Sequence, residues 1–237
     1  MSEIDVNDAP ARLTDHLSIG VLTKFVPRFL VDEVIAECGV REQRSRSLPA
    51  HVVVYFVMAL ALFRDGCGEV IRSLVHGLRF ARTWSSSWVT PSTSAISQAR
   101  RRLGEDVMAT LFYRVAVPVA KAGTPGARAG RFRLFAIDGV WLDMPDTAKN
   151  RSEFPKASDD TGCPFPQAKV VAVGECGTHA VIAAVIGTTK DGEHQLAEEL
   201  LDTLSPGMLV QADRGFYSFS LWRKALATGA DLAFRAR

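Results

Sequence analysis

The sequence predicts a two-part fold, with an all-helical first part followed by a mixed α/β second part. Apolar residues recur at helical spacing from about residue 17 to residue 123. A run rich in glycine and proline follows (AGTPGARAG, residues 122–130). Short strand-like runs then alternate with helices, which is typical of a mixed sheet with flanking helices. We therefore predict a helical domain over 1–122, a linker over 123–130 and an α/β domain over 131–237.

Caps and apolar spacing place the elements of both parts. In the first part Gly39 and Gly104 follow apolar helical runs, and Thr90-Pro91 is a favourable helix start. The predicted helices span residues 27–38, 49–63, 68–78, 90–103 and 105–121. In the second part the predicted strands are 131–138, 140–142, 168–174, 178–187, 208–212 and 232–236, with helices at 193–204 and 218–228. The polar stretch 143–167 is predicted to be a long loop.

Positive charge is concentrated in the first part of the chain. Residues 41–104 contain ten arginines and three acidic residues, whereas residues 131–237 contain 12 basic and 14 acidic residues. A basic module joined to a mildly acidic one suits DNA binding joined to metal-dependent catalysis. A solvated arginine face on a helical domain would give the same imbalance, so charge alone leaves both interpretations open.

Two aspartates stand at the ends of predicted strands. Asp138 ends the run FRLFAID and precedes Gly139, and Asp213 ends the run LVQAD and precedes Arg214-Gly215. If the two strands are neighbours, both carboxylates lie at the same end of the sheet. Paired carboxylates can hold a divalent cation for phosphodiester chemistry. An aspartate after a strand also commonly caps a turn, so the pattern leaves both roles open.

Six stretches of the sequence carry a resemblance to one family. Two lie in the first part, LSIGVLTKFVPRFLVDEVIAECGVREQRSRSLPAHVVVYFVMALALF and PSTSAISQARRRLG. Four lie in the second part, AIDGVWLDMPDT, FPQAKVVAVGECGTHAVIAAVIG, GEHQLAEELL and ADRGFYSFSLW. In these stretches the chain resembles bacterial transposases of the insertion-sequence-four family, a branch of the DDE transposases.

The resemblance implies a ribonuclease-H-like catalytic core, with the first aspartate on the first strand and the second on the fourth. Asp138 and Asp213 match these positions. It also implies two Mg²⁺ (or Mn²⁺) ions about 4 Å apart, which activate the attacking oxygen and stabilise the leaving one. Asp138 then binds both ions and Asp213 binds one. Water is the nucleophile for nicking, and a DNA 3′-hydroxyl is the nucleophile for strand transfer.

One feature of the family has no match in the sequence. The family's third metal ligand is a glutamate in the pattern Tyr-x-x-Arg-x-x-x-Glu-x-x-x-x-x-x-Lys, and the 237 residues contain no such pattern. Glu175 is interpreted as a turn residue, and Glu193 as a first-turn helix residue that favours the helix dipole. Asp231 also lies on no suitable element. We therefore expect a C-terminally truncated core and a partial or inactive transposase.

The predicted DNA contacts are basic and polar side chains, most of which reach phosphates without a fixed register. They are Arg79, Arg82, Ser97, Gln98, Arg100, Arg101, Arg102 and Arg214. The 68–78 and 90–103 helices resemble a helix-turn-helix reader only loosely, because the segment between them is longer than a tight turn. The alternative for the arginines of the 90–103 helix is a solvated face, and the alternative for Arg214 is a salt bridge.

The functional prediction is a cut-and-paste DNA transposase that acts on double-stranded element ends, their inverted repeats and target DNA, with a homodimer on DNA. The alternative is a non-catalytic DNA-binding protein that occupies element ends or inhibits an intact transposase. The 12-residue apolar run 52–63 is shorter than the roughly 20 residues needed to span a bilayer, so no membrane partner is expected. Dispersed cysteines and no signal peptide predict a cytoplasmic, nucleoid-associated protein.

Overall fold

The structure is a computed structural model that describes residues 19–43, 48–62, 68, 70–71, 91–156 and 164–235. The chain divides into two compact units, Met1–Val115 and Ala116–Arg237. Each unit has its own cluster of buried apolar side chains. The predicted linker over 123–130 therefore lies inside the second unit, and part of it is a strand of the sheet.

The described part of the first unit is helical, as predicted. Its helices are α1 (Ile19–Phe25), α2 (Arg28–Glu37), α3 (Ala50–Leu62), α4 (Thr93–Leu103) and α5 (Asp106–Val115). Helix α3 is apolar on every face because it packs against both α2 and α4. Its Tyr55 is buried and donates a hydrogen bond to the Val26 carbonyl (2.7 Å). None of the described helices is long and apolar enough to cross a membrane.

Burial also acts on a histidine near the start of α3. The pKa of His51 falls from 6.5 to about 4, first because of burial and then because of the positive charge of Arg28, while Asp32 opposes the shift. His51 is therefore neutral in the folded chain at pH 7, and protonation opposes folding in acid.

Two predicted helix boundaries in the first unit are corrected. Helix α4 begins at Thr93 rather than near residue 90, because Ser92 is the N-cap and its Oγ accepts a hydrogen bond from the Ala95 amide (3.2 Å). Helix α5 ends at Val115 rather than at residue 121, because Pro118 lacks an amide donor and restricts the residue before it. The predicted 68–78 helix lies mostly outside the described residues.

The described part of the second unit contains a mixed sheet, as predicted, and the sheet has six strands. Its strands are β1 (Arg128–Ala129), β2 (Phe132–Asp143), β3 (Gln167–Glu175), β4 (Val181–Gly187), β5 (Met208–Ala212) and β6 (Asp231–Phe234). Their order is β4-β3-β2-β5-β6, and β1 pairs with β2. Strand β2 is antiparallel to β3 and parallel to β5, and β5 is parallel to β6. The central strand β2 thus joins an antiparallel half to a parallel half.

In the described part of this unit, three α-helices accompany the sheet: α6 (Ala148–Glu153), α7 (Glu193–Glu198) and α8 (Phe219–Ala227). Alternate residues of the strands, such as Phe135 and Ile137, are buried with Leu196 of α7 and Leu221 of α8. This period of two is the spacing of one face of a strand. Helix α7 packs against β3, β4 and α8, and α8 packs against β6.

Three predictions in the second unit are corrected. The strands predicted at 131–138 and 140–142 form one strand, because residues 139–143 continue the pairing of β2 with β3. The predicted loop 143–167 contains α6, which Thr147 caps by accepting a hydrogen bond from the Asn150 amide (3.2 Å). The helix predicted at 193–204 ends at Glu198, and a short 3₁₀ turn (Leu201–Thr203) follows.

Candidate active site

The two predicted aspartates lie side by side on neighbouring parallel strands, midway along β2 and directly after the last residue of β5. The register of β2 and β5 pairs Ile137 with Ala212. Asp138 and Asp213 are the next residues on each strand, and both are exposed. Because paired strands run about 4.8 Å apart, the two carboxylates start from adjacent backbone positions. The condition that the sequence left open, that the two strands are neighbours, is met.

A local backbone amide holds one oxygen of each aspartate. Asp138 Oδ1 accepts a hydrogen bond from the Gly139 amide (2.8 Å). Asp213 Oδ1 accepts one from the Gly215 amide (2.7 Å) and caps the 3₁₀ turn Arg214–Phe216. Among the described residues, no hydrogen bond or ion pair reaches the second oxygen of either side chain. Asp213 is therefore a capping residue and keeps an oxygen available for a ligand.

A third carboxylate lies near the glycines that follow the two aspartates, on the buried face of β2 to which Gly139 belongs rather than on the face of Asp138. Glu193 is the first residue of α7, where its charge favours the helix dipole as predicted. A Cβ placed on Gly139 would lie 3.5 Å from Glu193 Oε1. A Cβ placed on Gly215 would lie 3.2 Å from Glu193 Oε2 and 3.0 Å from Asp213 Oδ1. The Glu193 carboxylate is thus next to the glycine that follows Asp138 and the glycine that follows Arg214.

The donor chemistry of this site fits a hard divalent cation. Carboxylate oxygens are the ligands that Mg²⁺ and Mn²⁺ prefer. The absence of a side chain at Gly215 keeps open the space between Asp213 and Glu193, which a Cβ would fill. In the part of the chain that the structure describes, no three acidic, histidine or cysteine side chains are already arranged as a metal-binding cluster. Cation binding therefore requires the carboxylates to turn toward one another.

Glu175 is a buried structural carboxylate rather than an exposed turn residue, which corrects the interpretation from sequence. Its Oε2 accepts hydrogen bonds from the amides of Val119 (3.0 Å) and Ala120 (2.7 Å) and from the Thr178 hydroxyl (2.7 Å). Its Oε1 accepts one from Arg133, whose guanidinium pairs with it. Burial would raise the pKa of Glu175, but these hydrogen bonds outweigh burial and lower it below its ordinary value. Glu175 anchors residues 119–120 to the sheet.

The basic side chains of α4 differ in how they are held. Arg100 and Arg101 are exposed, and neither forms an ion pair with another described residue. Arg102 donates a hydrogen bond to the Leu48 carbonyl (2.9 Å) and pairs with Glu42 (3.4 Å). Arg100 and Arg101 thus remain available for phosphates, whereas Arg102 has partners within its own unit.

The other predicted DNA contacts are polar or lie elsewhere. Ser97 and Gln98 are exposed on α4, and Gln98 donates a hydrogen bond to the Ser94 hydroxyl (3.4 Å). Arg214 is exposed directly after Asp213, and it has no acidic partner among the described residues. Arg79 and Arg82 lie outside the described residues.

Comparison with known proteins finds similarity to transposases. The family profile described as insertion element 4 transposase N-terminal matches residues 16–113. Transposase InsG for insertion sequence element IS4, from Escherichia coli strain K12, is 34% identical over 194 residues. The chain is similar to transposases of the insertion-sequence-four family. The resemblance seen in the six sequence stretches is therefore confirmed.

The family match extends through most of this chain but through a smaller share of the relatives. The InsG alignment covers 81% of this chain and 42% of InsG. Putative transposase InsZ of the same strain is 27% identical over 220 residues, which are 92% of this chain and 70% of InsZ. A looser structural likeness, with a TM-score of 0.41 and 12% identity, is to the piggyBac transposase synaptic complex with hairpin DNA, over 96% of this chain and 52% of that chain.

Proposed function

We propose that the chain acts in cut-and-paste DNA transposition, through metal-dependent nicking and strand transfer at the ends of an insertion element. The observation that supports the proposal is the register that pairs Ile137 with Ala212, because it puts Asp138 and Asp213 at adjacent positions of neighbouring strands. Similarity to transposases of the insertion-sequence-four family supports the same activity.

The second unit is proposed to be a ribonuclease-H-like core. Apart from the two-residue strand β1, Asp138 lies on the first strand of the sheet and Asp213 directly follows the fourth. The mixed pairing, with antiparallel strands on one side of β2 and parallel strands on the other, supports this assignment. The fold would place both aspartates at the centre of the sheet.

In this proposal Asp138 and Asp213 hold Mg²⁺ or Mn²⁺. When bound there, a divalent cation supplies activation of the attacking oxygen and stabilisation of the leaving oxygen. The amides of Gly139 and Gly215 orient the two carboxylates by holding one oxygen of each. Arg214, exposed beside Asp213, places a guanidinium where it can bind a phosphate of the DNA strand.

The helical unit is proposed to bind double-stranded DNA, both at the inverted repeats of the element and at the target. The exposed Arg100 and Arg101 would contact phosphates, and Ser97 and Gln98 lie exposed on the same helix. Phosphate contacts of this kind fix position and make affinity dependent on salt. We place this activity in the cytoplasm at the nucleoid, with a homodimer on the DNA.

A second candidate function is DNA binding without cleavage by this chain. It is favoured by Arg100 and Arg101, which are exposed on α4 and can bind DNA phosphates without any part of the second unit. In that case the chain would occupy element ends or compete with an intact transposase.

The two candidates separate in a nicking assay on supercoiled plasmid that carries an element end, with Mg²⁺ or Mn²⁺. Transposase chemistry predicts nicking that is lost in both Asp138→Asn and Asp213→Asn, while Asp202→Asn, an exposed acid of the 3₁₀ turn Leu201–Thr203, retains it. Binding of the same DNA with no nicking in any metal selects the non-catalytic candidate. Nicking that persists in both aspartate variants would overturn the assignment of the site.

A further inference from the structure

We propose that the hairpin formed by β1 and the start of β2 binds the phosphate backbone of DNA, at a place separate from the aspartate pair. The inference rests on the proposed function in choosing DNA as the ligand, and it assigns residues that neither α4 nor the aspartate site includes. They are the exposed side chains Lys121, Arg128 and Arg131, which we call the basic hairpin.

The first argument is charge. Residues 116–137 contain four basic residues and no acidic one. Arg133 is paired with Glu175, but the basic hairpin forms no ion pair with any described residue. The guanidinium of Arg131 lies over the ring of Phe132, 4.7 Å from its centroid, which leaves its charge without a counter-ion. Three positive charges in one short stretch therefore remain available to an anion.

The second argument is that the fold brings like charges together. The register of β1 and β2 pairs Arg128 with Arg133. Side chains directly opposite in an antiparallel pair have Cβ atoms about 5 Å apart, and like charges at that distance are destabilising. Glu175 offsets the charge of Arg133, whereas no described acid offsets that of Arg128. Lys121 adds a further charge nearby, because it follows Ala120, whose carbonyl accepts a hydrogen bond from Arg133 (2.9 Å). A bound phosphate would relieve this repulsion.

The third argument is that the hairpin is held in place. Its two-residue turn begins at Gly130, whose φ of 56° suits the glycine position of a type II′ turn. Ala127 is fully buried, and its carbonyl accepts a hydrogen bond from the Leu134 amide (3.0 Å). A Cβ on Gly177 would collide with the Pro125 carbonyl oxygen, so the turn before β1 packs closely on the turn after β3. A backbone fixed in this way presents its arginines with less entropy to lose on binding.

The basic hairpin and the aspartates lie at different positions along the sheet. Arg133 pairs with Met208, the first residue of β5, whereas Asp213 follows the last residue of β5. Asp138 is five residues after Arg133 on β2, which corresponds to about 16 Å of strand. The hairpin would therefore bind phosphates other than the one at the aspartates, and it would contribute affinity rather than chemistry.

The test is binding of a short labelled DNA duplex to the 237-residue chain, followed by fluorescence anisotropy over a range of salt concentrations. The variants are Arg128→Gln and Arg131→Gln, separately and together. The matched control is Arg223→Gln, because Arg223 is exposed on α8 and forms no ion pair with another described residue. Each single variant removes the same charge, so a difference between them reports position and not net charge. Thermal melts of every variant show whether folding is affected.

We expect Arg128→Gln and Arg131→Gln each to lower the slope of log affinity against log salt by about 1, and the double variant to lower it by about 2. Arg223→Gln should leave the slope unchanged. The melting temperature of Arg128→Gln should not fall, because the substitution removes a like-charge pair. Lost DNA affinity in this variant would then not be a result of unfolding.

Three outcomes would count against the inference in different ways. If the unmodified chain binds DNA and both hairpin variants keep the slope of Arg223→Gln, the basic hairpin is not a DNA site and the proposed function stands. If the hairpin variants lose binding only to phosphatidylglycerol vesicles, the site takes lipid phosphates and the choice of DNA is wrong. If the unmodified chain binds no DNA, the proposed function fails as well.

Discussion

Replacing Glu175 with glutamine should destabilise the second unit by about 3–5 kcal/mol, the usual cost of removing one partner of a buried ion pair. The side chain of Glu175 is fully buried, whereas 26% of the Arg133 side chain is exposed. The change leaves a guanidinium and a set of amide and hydroxyl donors facing a neutral group. The contribution of Glu175 to the stability of the second unit is therefore large for a single buried side chain.

The hydrogen bonds of Glu175 explain this magnitude. Its two oxygens accept from Val119, Ala120, Thr178 and Arg133. Glutamine keeps one carbonyl oxygen and turns an NH₂ group toward the remaining donors, and each unsatisfied buried group costs about 1–3 kcal/mol. Two such losses already reach the expected range.

Chemical denaturation measures the total loss of unfolding free energy in Glu175→Gln, and hydrogen exchange shows which backbone amides lose protection. We expect the amides of Val119 and Ala120 to exchange faster in Glu175→Gln than in the unmodified chain, because both donate to the carboxylate. The matched control is Glu198→Gln, which breaks the partly exposed pair with Lys224 and should cost less than about 1 kcal/mol. Equal effects of the two substitutions would refute the anchor role of Glu175.

The stability difference between the unmodified chain and Glu175→Gln should depend on pH in a definite direction. The folded-state pKa of Glu175 is lowered, so its contribution is present above the unfolded-state pKa and is lost as pH falls through the folded-state value. The gap in stability between the unmodified chain and Glu175→Gln should therefore close in acid.

Three further predictions concern DNA binding, acid stability and the site. Arg101→Ala should lower the slope of log affinity for DNA against log salt by about 1, and Arg102→Ala should leave that slope unchanged and lower the melting temperature instead. Burial lowers the pKa of His51 to about 4, so as pH falls from 6.5 to 4 the unfolded chain binds a proton before the folded chain does, and the unmodified chain loses up to about 3 kcal/mol of stability. His51→Gln should not show this loss. Thermal melts of the two chains between pH 6.5 and pH 4 measure the difference. Gly215→Ala should weaken Mn²⁺ binding in titration more than Gly139→Ala, because its Cβ would meet two carboxylate oxygens at 3.0 Å and 3.2 Å rather than one at 3.5 Å.

Local sequence signals, such as helix caps and apolar runs, were sufficient to predict the elements whose ends they mark. The helices α2 and α8 begin and end near the predicted residues, where Pro27 starts the first, Gly39 follows it and Ser218 caps the second. The aspartates could be identified because each ends an apolar run. That signal located the end of β5, whereas β2 continues past Asp138 to Asp143. Family resemblance then selected Asp138 and Asp213 from other strand-end acids.

Contacts between distant residues could not be read in this way. Glu175 follows an apolar strand and precedes a glycine turn, as an exposed turn residue would, and only the fold brings Val119 and Ala120 to it, 56 and 55 positions earlier in the chain. Glu193 carries a helix-start signal, and only the fold shows that its carboxylate also lies near Gly139 and Gly215.

The most direct test of the central claim is local oxidative cleavage with Fe²⁺ in place of Mg²⁺. Fe²⁺ bound at a carboxylate site generates hydroxyl radicals on addition of ascorbate and peroxide, and the radicals cut the backbone next to the ion. The account predicts cuts near Asp138 and near Asp213 in the same molecules, both suppressed by excess Mg²⁺ and both lost in Asp213→Asn. Cuts near only one of these residues, or at both after Asp213 has been replaced, would contradict a cation site shared by Asp138 of β2 and Asp213 after β5.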